Sequence, residues 1–450
     1  MEPTHRPVLG TALALVGGAL VLSASATARA QTLMEAYQLA LQNDPKFRAV
    51  QAETRASSTA LDQARAGFMP TLRMDFERTE TRQRINSSQN PIFGAGVTTF
   101  PTVNRTVTLN QPVFRKDVIE RLAQAKAIVR QAEFTLLAAE QDLMLRTTAA
   151  YLVVLASADS VALARAERQA VGKALDLARE KLAMGLGTIT NQYDAAARFA
   201  VTQARELEAA NRLRDARQAL REVTGKVFDK VQELRKEIPL VLPEPAVVER
   251  WIESAEQQNL LLRARREAVE VARQEVERQR AGHYPSVNLL LNHNKRDAGS
   301  TLFGGGSEVE TTDLTLRLTV PIFEGGLTSA VTREAAHRYQ KSLEELEQER
   351  RAVERTTRAA YDGTLGGVSL VRALRQAVVS QESALQAKDE GFRAGLNTLL
   401  PVLDAQRDLY IALRDYAQSR YDYLFNRLRL KQAAGTLSEA DLVGVGAALQ

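Results

Sequence analysis

The residue types that most often do chemistry are sparse and badly spaced for it. Four histidines, His5, His283, His293 and His337, are scattered along 450 residues without metal-ligand spacing. Cysteine is absent, so no thiolate site, disulfide or cysteine-borne lipid is available. No Ser, His and Asp set reads as a catalytic triad. The glycine-rich FGGGSE at 303–308 lacks the following helix N-terminus that a phosphate loop needs and reads as a flexible hairpin loop. No metal, no cofactor and no enzyme activity is expected. Tyr410, Tyr416, Tyr421, Tyr423 and Phe425 fall in a helical pattern and read as packing aromatics. What stands out is turn chemistry. LAMGLGTITNQYDAA at 182–196 and FRAGLNTLLPVLDAQ at 392–406 each interrupt a long helical pattern. Gly185 and Gly395 suit a reversal that needs φ > 0. Thr188, Asn397 and Thr398 suit caps on the returning helices. A bare helical hairpin would want the same residues, so turn chemistry alone assigns no function.

The elements that hold these turns occur twice. Ala149-Ala150-Tyr151 answers Ala359-Ala360-Tyr361, Gly185-Leu186 answers Gly395-Leu396, Asp194-Ala195 answers Asp404-Ala405, and Gly225 answers Gly435, each 210 residues apart. Upstream, AGFMP answers AGHYP and QPVF answers VPIF with drifting offsets, which places insertions in the connecting loops. Each half opens with a helical lead-in, 33–66 or 247–281. Alternation of period two follows, as in Leu72, Met74 and Phe76 against Arg73, Asp75 and Glu77. The spacing predicts strands over about 70–82 and 103–113, then about 285–296 and 312–322. Beyond Pro112 and Pro321 the period turns helical and stays so over 115–184 and 324–394, apart from a glycine patch at 363–367. A helix of about 70 residues is about 105 Å long. The expected fold is mainly α with a β-hairpin pair, on a duplicated strand-hairpin and long-helix plan. Residues 31–225 form the first repeat with its turn at 185–188. Residues 247–437 form the second with its turn at 395–398. Residues 226–246 join them, and 438–450 are a C-terminal tail.

The first 30 residues read as a secretory signal peptide: Arg6, an apolar run over about 8–22, then Ala28-Arg29-Ala30 before the cut. An uncleaved anchor is the alternative, although the run is short for a span. No later segment approaches ~18 consecutive apolar residues, so residence in a membrane would require β-structure. The formal charge of +5 is interspersed along helices. That pattern reads as solvated faces and argues against a nucleic-acid partner. Four strands with one apolar face suit a membrane barrel but cannot close one, since about eight is the smallest usual number. The chain would need copies of itself. A soluble pair of hairpins capping a coiled coil fits the same pattern.

Four segments carry a resemblance to a known family: LMEAYQLALQNDP, RAGHYPSVNL, VPIFEGG, and the ungapped run from AGLNTLLPVLDAQ to GTLSEADL. Across nearly the whole mature chain the sequence resembles the TolC family of trimeric outer-membrane channels. The resemblance implies a homotrimer whose protomers give four strands each to a 12-stranded β-barrel on an α-helical barrel. It implies residence in outer-membrane lipid, extension into the periplasm, and an equatorial region that includes 226–246. It implies a passive exit duct for efflux or type I secretion. A periplasmic adaptor (membrane fusion) protein and an inner-membrane efflux pump or ABC transporter would be its partners. The adaptor-docking tip would comprise Gly185, Leu186, Gly187, Thr188, Gly395, Leu396 and Thr398. Asp404 would line the periplasmic gate as a ring of carboxylates. Pro401 replaces a second acid of that gate. Phe392, Asn397 and Asn191 replace the tyrosine, arginine and aspartate that can hold it shut. A periplasmic coiled-coil adaptor or spacer is the competing reading.

Overall fold

The computed structural model describes residues 31–87, 89, 96–228, 230–300 and 305–449. The signal-peptide reading of 1–30 lies outside them, as do parts of both hairpin loops, including the start of FGGGSE.

Two short helices open each repeat. Helices α1 (Leu33–Asn43) and α2 (Pro45–Ala66) break at Asp44, whose carboxylate caps α2 while Pro45 takes the first helical position. Helices α5 (Val248–Gln258) and α6 (Leu260–Arg280) break in the same way at Asn259. Each lead-in is therefore two helices where the periodicity suggested one.

The strands form one antiparallel sheet in the order β1 (Thr71–Ile85), β2 (Gly96–Phe114), β3 (Ser286–Ala298), β4 (Ser307–Thr319). Strand β4 ends before the expected 322 because Pro321 has no N–H to donate to a ladder. The first repeat instead absorbs Pro112 at a register shift within β2. Directly opposed partners share a face. Leu72, Leu109, Leu291 and Leu314 make one apolar row across all four strands. Arg73, Thr108, Asn292 and Asp313 make the adjacent row on the other face. On the apolar face Leu72, Met74, Phe76, Leu314, Leu316 and Leu318 are each 63–72% exposed. Strands β1 and β4 each pair on one side only.

The long helices are α3 (Lys116–Ala183) and α7 (Leu327–Arg393), each about 100 Å at 1.5 Å per residue. The second runs unbroken through the glycine patch. Helix α4 (Ile189–Thr224) returns along α3, and α8 (Leu399–Ala433) returns along α7. Above the waist α2 and α6 flank α3, and α5 and α6 flank α7; below it α3 also packs on α8.

The main core lies at the waist. It joins Leu33 and Tyr37 of α1, Leu143, Tyr151 and Leu152 of α3, and Tyr421, Tyr423 and Leu424 of α8. One 18-residue stretch of α3 is apolar enough to cross a membrane by length and composition. That narrows the reading drawn from consecutive apolar residues. A third of the stretch is buried, and α3 contributes heavily to this core.

The inter-repeat segment wraps the waist through isolated bridges, Gln31 to Val231 and Leu234 to Leu449. Tyrosine hydroxyls fix it there. Tyr151 accepts from the Gln232 N–H at 3.0 Å, Tyr361 donates to the Ala246 carbonyl at 2.7 Å, and Tyr423 donates to that of Val241 at 2.9 Å. The aromatics at 416–425 thus pack and also carry polar anchors. A short α9 (Glu439–Gly446) closes the tail under a Ser438 and Asp441 capping box.

Candidate functional site at the helical tips

Both reversals use the same backbone device. Helix α3 ends at Ala183. Gly185 then takes φ +71°. Its N–H donates to Leu182 O at 3.0 Å, and that of Leu186 to Lys181 O at 2.8 Å. At the end of α7 Gly395 takes φ +74°. Its N–H donates to Phe392 O at 3.1 Å, and that of Leu396 to Gly391 O at 2.8 Å. This pair of bonds is a Schellman motif, which satisfies the last carbonyls of a helix. Leu186 and Leu396 are left at the apex, 76% and 82% exposed.

The helix starts differ. Thr188 caps α4, its hydroxyl accepting from Asn191 N–H at 3.3 Å. Thr398 holds the N-cap position of α8, but its hydroxyl accepts no cap hydrogen bond. Asn397 sits before the cap and lies against Gly391, where a Cβ would come within 2.3 Å of the Asn397 amide nitrogen. The capping role expected of Thr398 and Asn397 side chains is therefore not realised. Gly187 lies over the last turn of α3, where a Cβ would come within 3.1 Å of the Leu182 nitrogen. Pro401 is the third residue of α8, where a missing N–H costs nothing because that donor has no helical partner.

Behind the turns a small core joins the two hairpins: Val171, Leu175 and Ala178 of α3, Ala195 of α4, and Leu399 and Leu403 of α8. Phe392 packs against it, with Lys181 Nζ 4.3 Å from its ring centroid. Within the protomer, among the described residues, no hydrogen bond or ion pair joins the side chains of Asn191, Asn397 and Asp404.

Asp404 has partners that the sequence reading missed. Arg198 of α4 donates to Asp404 Oδ1 at 2.6 Å, and Arg407 stands 3.6 Å from the same oxygen. Arg407 also pairs with Asp408 at 2.8 Å. Deeper in, Glu167 of α3 is buried and meets Arg205 at 3.1 Å. Burial pushes its carboxyl above the usual range, against the pull of Arg205, Arg414 and Arg198. Arg198 and Asp404 are 206 residues apart, so no local pattern could have paired them. Among the described residues no cluster of His, Cys, Asp and Glu could hold a metal ion.

A four-stranded sheet with one apolar face, joined to paired helices of this length, is the fold that outer-membrane efflux proteins share. The family model described as "Outer membrane efflux protein" matches residues 36–226 and 251–436, one span in each repeat. The chain belongs to this family, and it is an outer-membrane protein. It is 32% identical to the outer membrane protein TolC of Vibrio cholerae, over 94% of each chain. It is 31% identical to the alkaline protease secretion protein AprF of Pseudomonas aeruginosa, over 96% of this chain and 90% of that one. Among solved structures, the outer membrane protein VceC from Vibrio cholerae superposes with a TM-score of 0.76 at 20% identity, over 90% of this chain and 96% of that chain. That likeness carries the fold.

Proposed function

We propose that three copies of the chain close one 12-stranded barrel in the outer membrane and continue it as a helical duct across the periplasm. The observation that carries this is the sheet itself. Its exposed leucine row suits lipid, but its two unpaired edges are untenable there for a lone protomer, because open edges leave backbone groups unsatisfied. The duct is passive. Its cargo classes are small molecules for efflux and proteins for type I secretion, in keeping with the family's description and with a relative named for protease secretion. An inner-membrane pump or ABC transporter and a periplasmic adaptor supply energy and docking.

In this reading the apex leucines Leu186 and Leu396, between Gly185, Gly187, Thr188, Gly395 and Thr398, meet the adaptor. Asp404, Asn191, Phe392, Asn397 and Pro401 surround the entrance. The soluble adaptor or spacer reading leaves the apolar sheet face unexplained. Planar-bilayer recording tests the proposal. Discrete single-channel conductance is expected from the purified protein. Folded protein that inserts and conducts nothing would remove the duct. Leu186→Asp with Leu396→Asp should abolish export while assembly persists, and wild-type export would separate the apex from docking.

A further inference from the structure

We propose that Arg198 is the residue that governs the entrance of this duct, by clamping α8 to α4 and cancelling the charge of Asp404. This rests on the duct reading above. The two hairpins of a protomer, α3 with α4 and α7 with α8, meet below the waist through few polar side-chain contacts. Among the described residues, Tyr421 donates to Asp159 at 2.7 Å near the waist, with Arg420 3.9 Å from the same carboxylate; near the tips Lys181 lies over the Phe392 ring and Arg198 meets Asp404 at 2.6 Å. The Arg198 and Asp404 side chains are 20% and 38% exposed, so the pair is partly shielded and less screened than a surface pair. The small apolar core of Leu175, Ala195 and Leu403 lies beside it and fixes the approach of the helices.

A carboxylate held by one guanidinium, with a second 3.6 Å away, presents little net negative charge to an ion. The simple expectation of a cation-favouring carboxylate ring therefore changes: the entrance should discriminate weakly by charge sign. The duplication adds an asymmetry. At the 210-residue offset Asp194 corresponds to Asp404, but Arg198 corresponds to Asp408. Only one of the two repeat-related junctions can hold this bridge, and it is the one inside the chain. The junction between copies would set Asp194 against Asp408, whose carboxylate Arg407 of its own helix already holds, so no such bridge forms there. Each protomer then moves as a clamped four-helix unit, and the entrance widens at the seams between copies.

The chain has no cysteine, so spin labels on Leu186→Cys and Leu396→Cys report the distance between the two tips of one chain, diluted with unlabelled chain. Arg198→Gln should lengthen and broaden that distance and raise the cation-over-anion permeability ratio several-fold. Asp404→Asn should broaden the distance without gain in cation preference. The exchange Arg198→Asp with Asp404→Arg should restore both readouts. Unchanged distances in Arg198→Gln overturn the proposal, as does a wild type already as cation-selective as that variant. Distances that respond in a protein without conductance would uphold the clamp and sink the duct reading instead.

Discussion

Gly395 and Gly435 offer a matched pair of perturbations. Both hold the left-handed conformation, at φ +74° and +75°, so alanine at either costs about 1–2 kcal/mol of backbone strain. Their surroundings differ. A Cβ on Gly395 meets nothing within 4 Å, so strain is its whole cost. A Cβ on Gly435 would lie 2.3 Å from the Gln258 carbonyl oxygen and 2.7 Å from the Asn259 nitrogen. Those are backbone atoms at the α5–α6 break. They cannot swing away, because Asn259 caps α6 through Leu262 N–H at 3.1 Å and donates to Ala433 O at 2.9 Å. Forced displacement of packed structure adds about 1–3 kcal/mol. Gly435→Ala should thus lose ~2–5 kcal/mol, against ~1–2 kcal/mol for Gly395→Ala. Gly225, the repeat counterpart, faces a side chain, Asn43 Cβ at 2.9 Å, and should fall between them. Urea midpoints of the purified variants in one detergent, at unchanged m, measure the order. Equal losses at 395 and 435, or the reverse order, would refute the claim that the glycine ends of the return helices wedge against the breaks in the lead-in helices.

Two further outcomes are expected. Asp44 caps α2 and takes two hydrogen bonds from Arg146, at 2.9 and 3.1 Å. Burial alone would raise its carboxyl, yet Arg146 and the Phe47 N–H hold it below the usual aspartate range. A depressed folded-state value contributes stability above the unfolded-state value, and that stability is lost as pH falls through the folded one. Asp44→Asn leaves Arg146 its second partner, Asp142, at 2.8 Å, so it should destabilise the protein near neutrality by ~1.5–3 kcal/mol, as for a lost charged hydrogen bond, and flatten the acid limb of a pH–stability curve. In the sheet, Leu314→Arg sets a cation on the exposed apolar row and should cost ~2–4 kcal/mol of membrane assembly. Thr315→Arg, on the other face, should assemble normally in an outer-membrane insertion assay.

The sequence made the repeat visible because its markers are local and chemically strict. Glycines at 185, 225, 395 and 435 all adopt positive φ, and few other residues tolerate that. Alternation placed the strands, although β1 and β2 extend past their predicted ends, to Ile85 and back to Gly96, where Val97 and Phe100 fall on opposite faces and Pro101 interrupts the pattern. The breaks at Asp44 and Asn259 were legible in principle. Each is an Asn or Asp cap, and Pro45 marks the first, but continuous helical periodicity on both sides masked the change of direction. The partners of Asp404 were out of reach. Arg198 sits four residues after Asp194, a spacing that suggests a local pair, and it turns instead to α8. Likewise, Thr398 has the right residue type and backbone for a cap, but its hydroxyl is not used.

On this reading the protomer is an incomplete barrel completed by copies of itself. Native mass spectrometry of the protein extracted from outer membranes tests this most directly. A complex of three chains is expected, and it should fall apart when the edge pairing of β1 and β4 is broken by proline substitutions. A stable, folded monomer in that extract would contradict it.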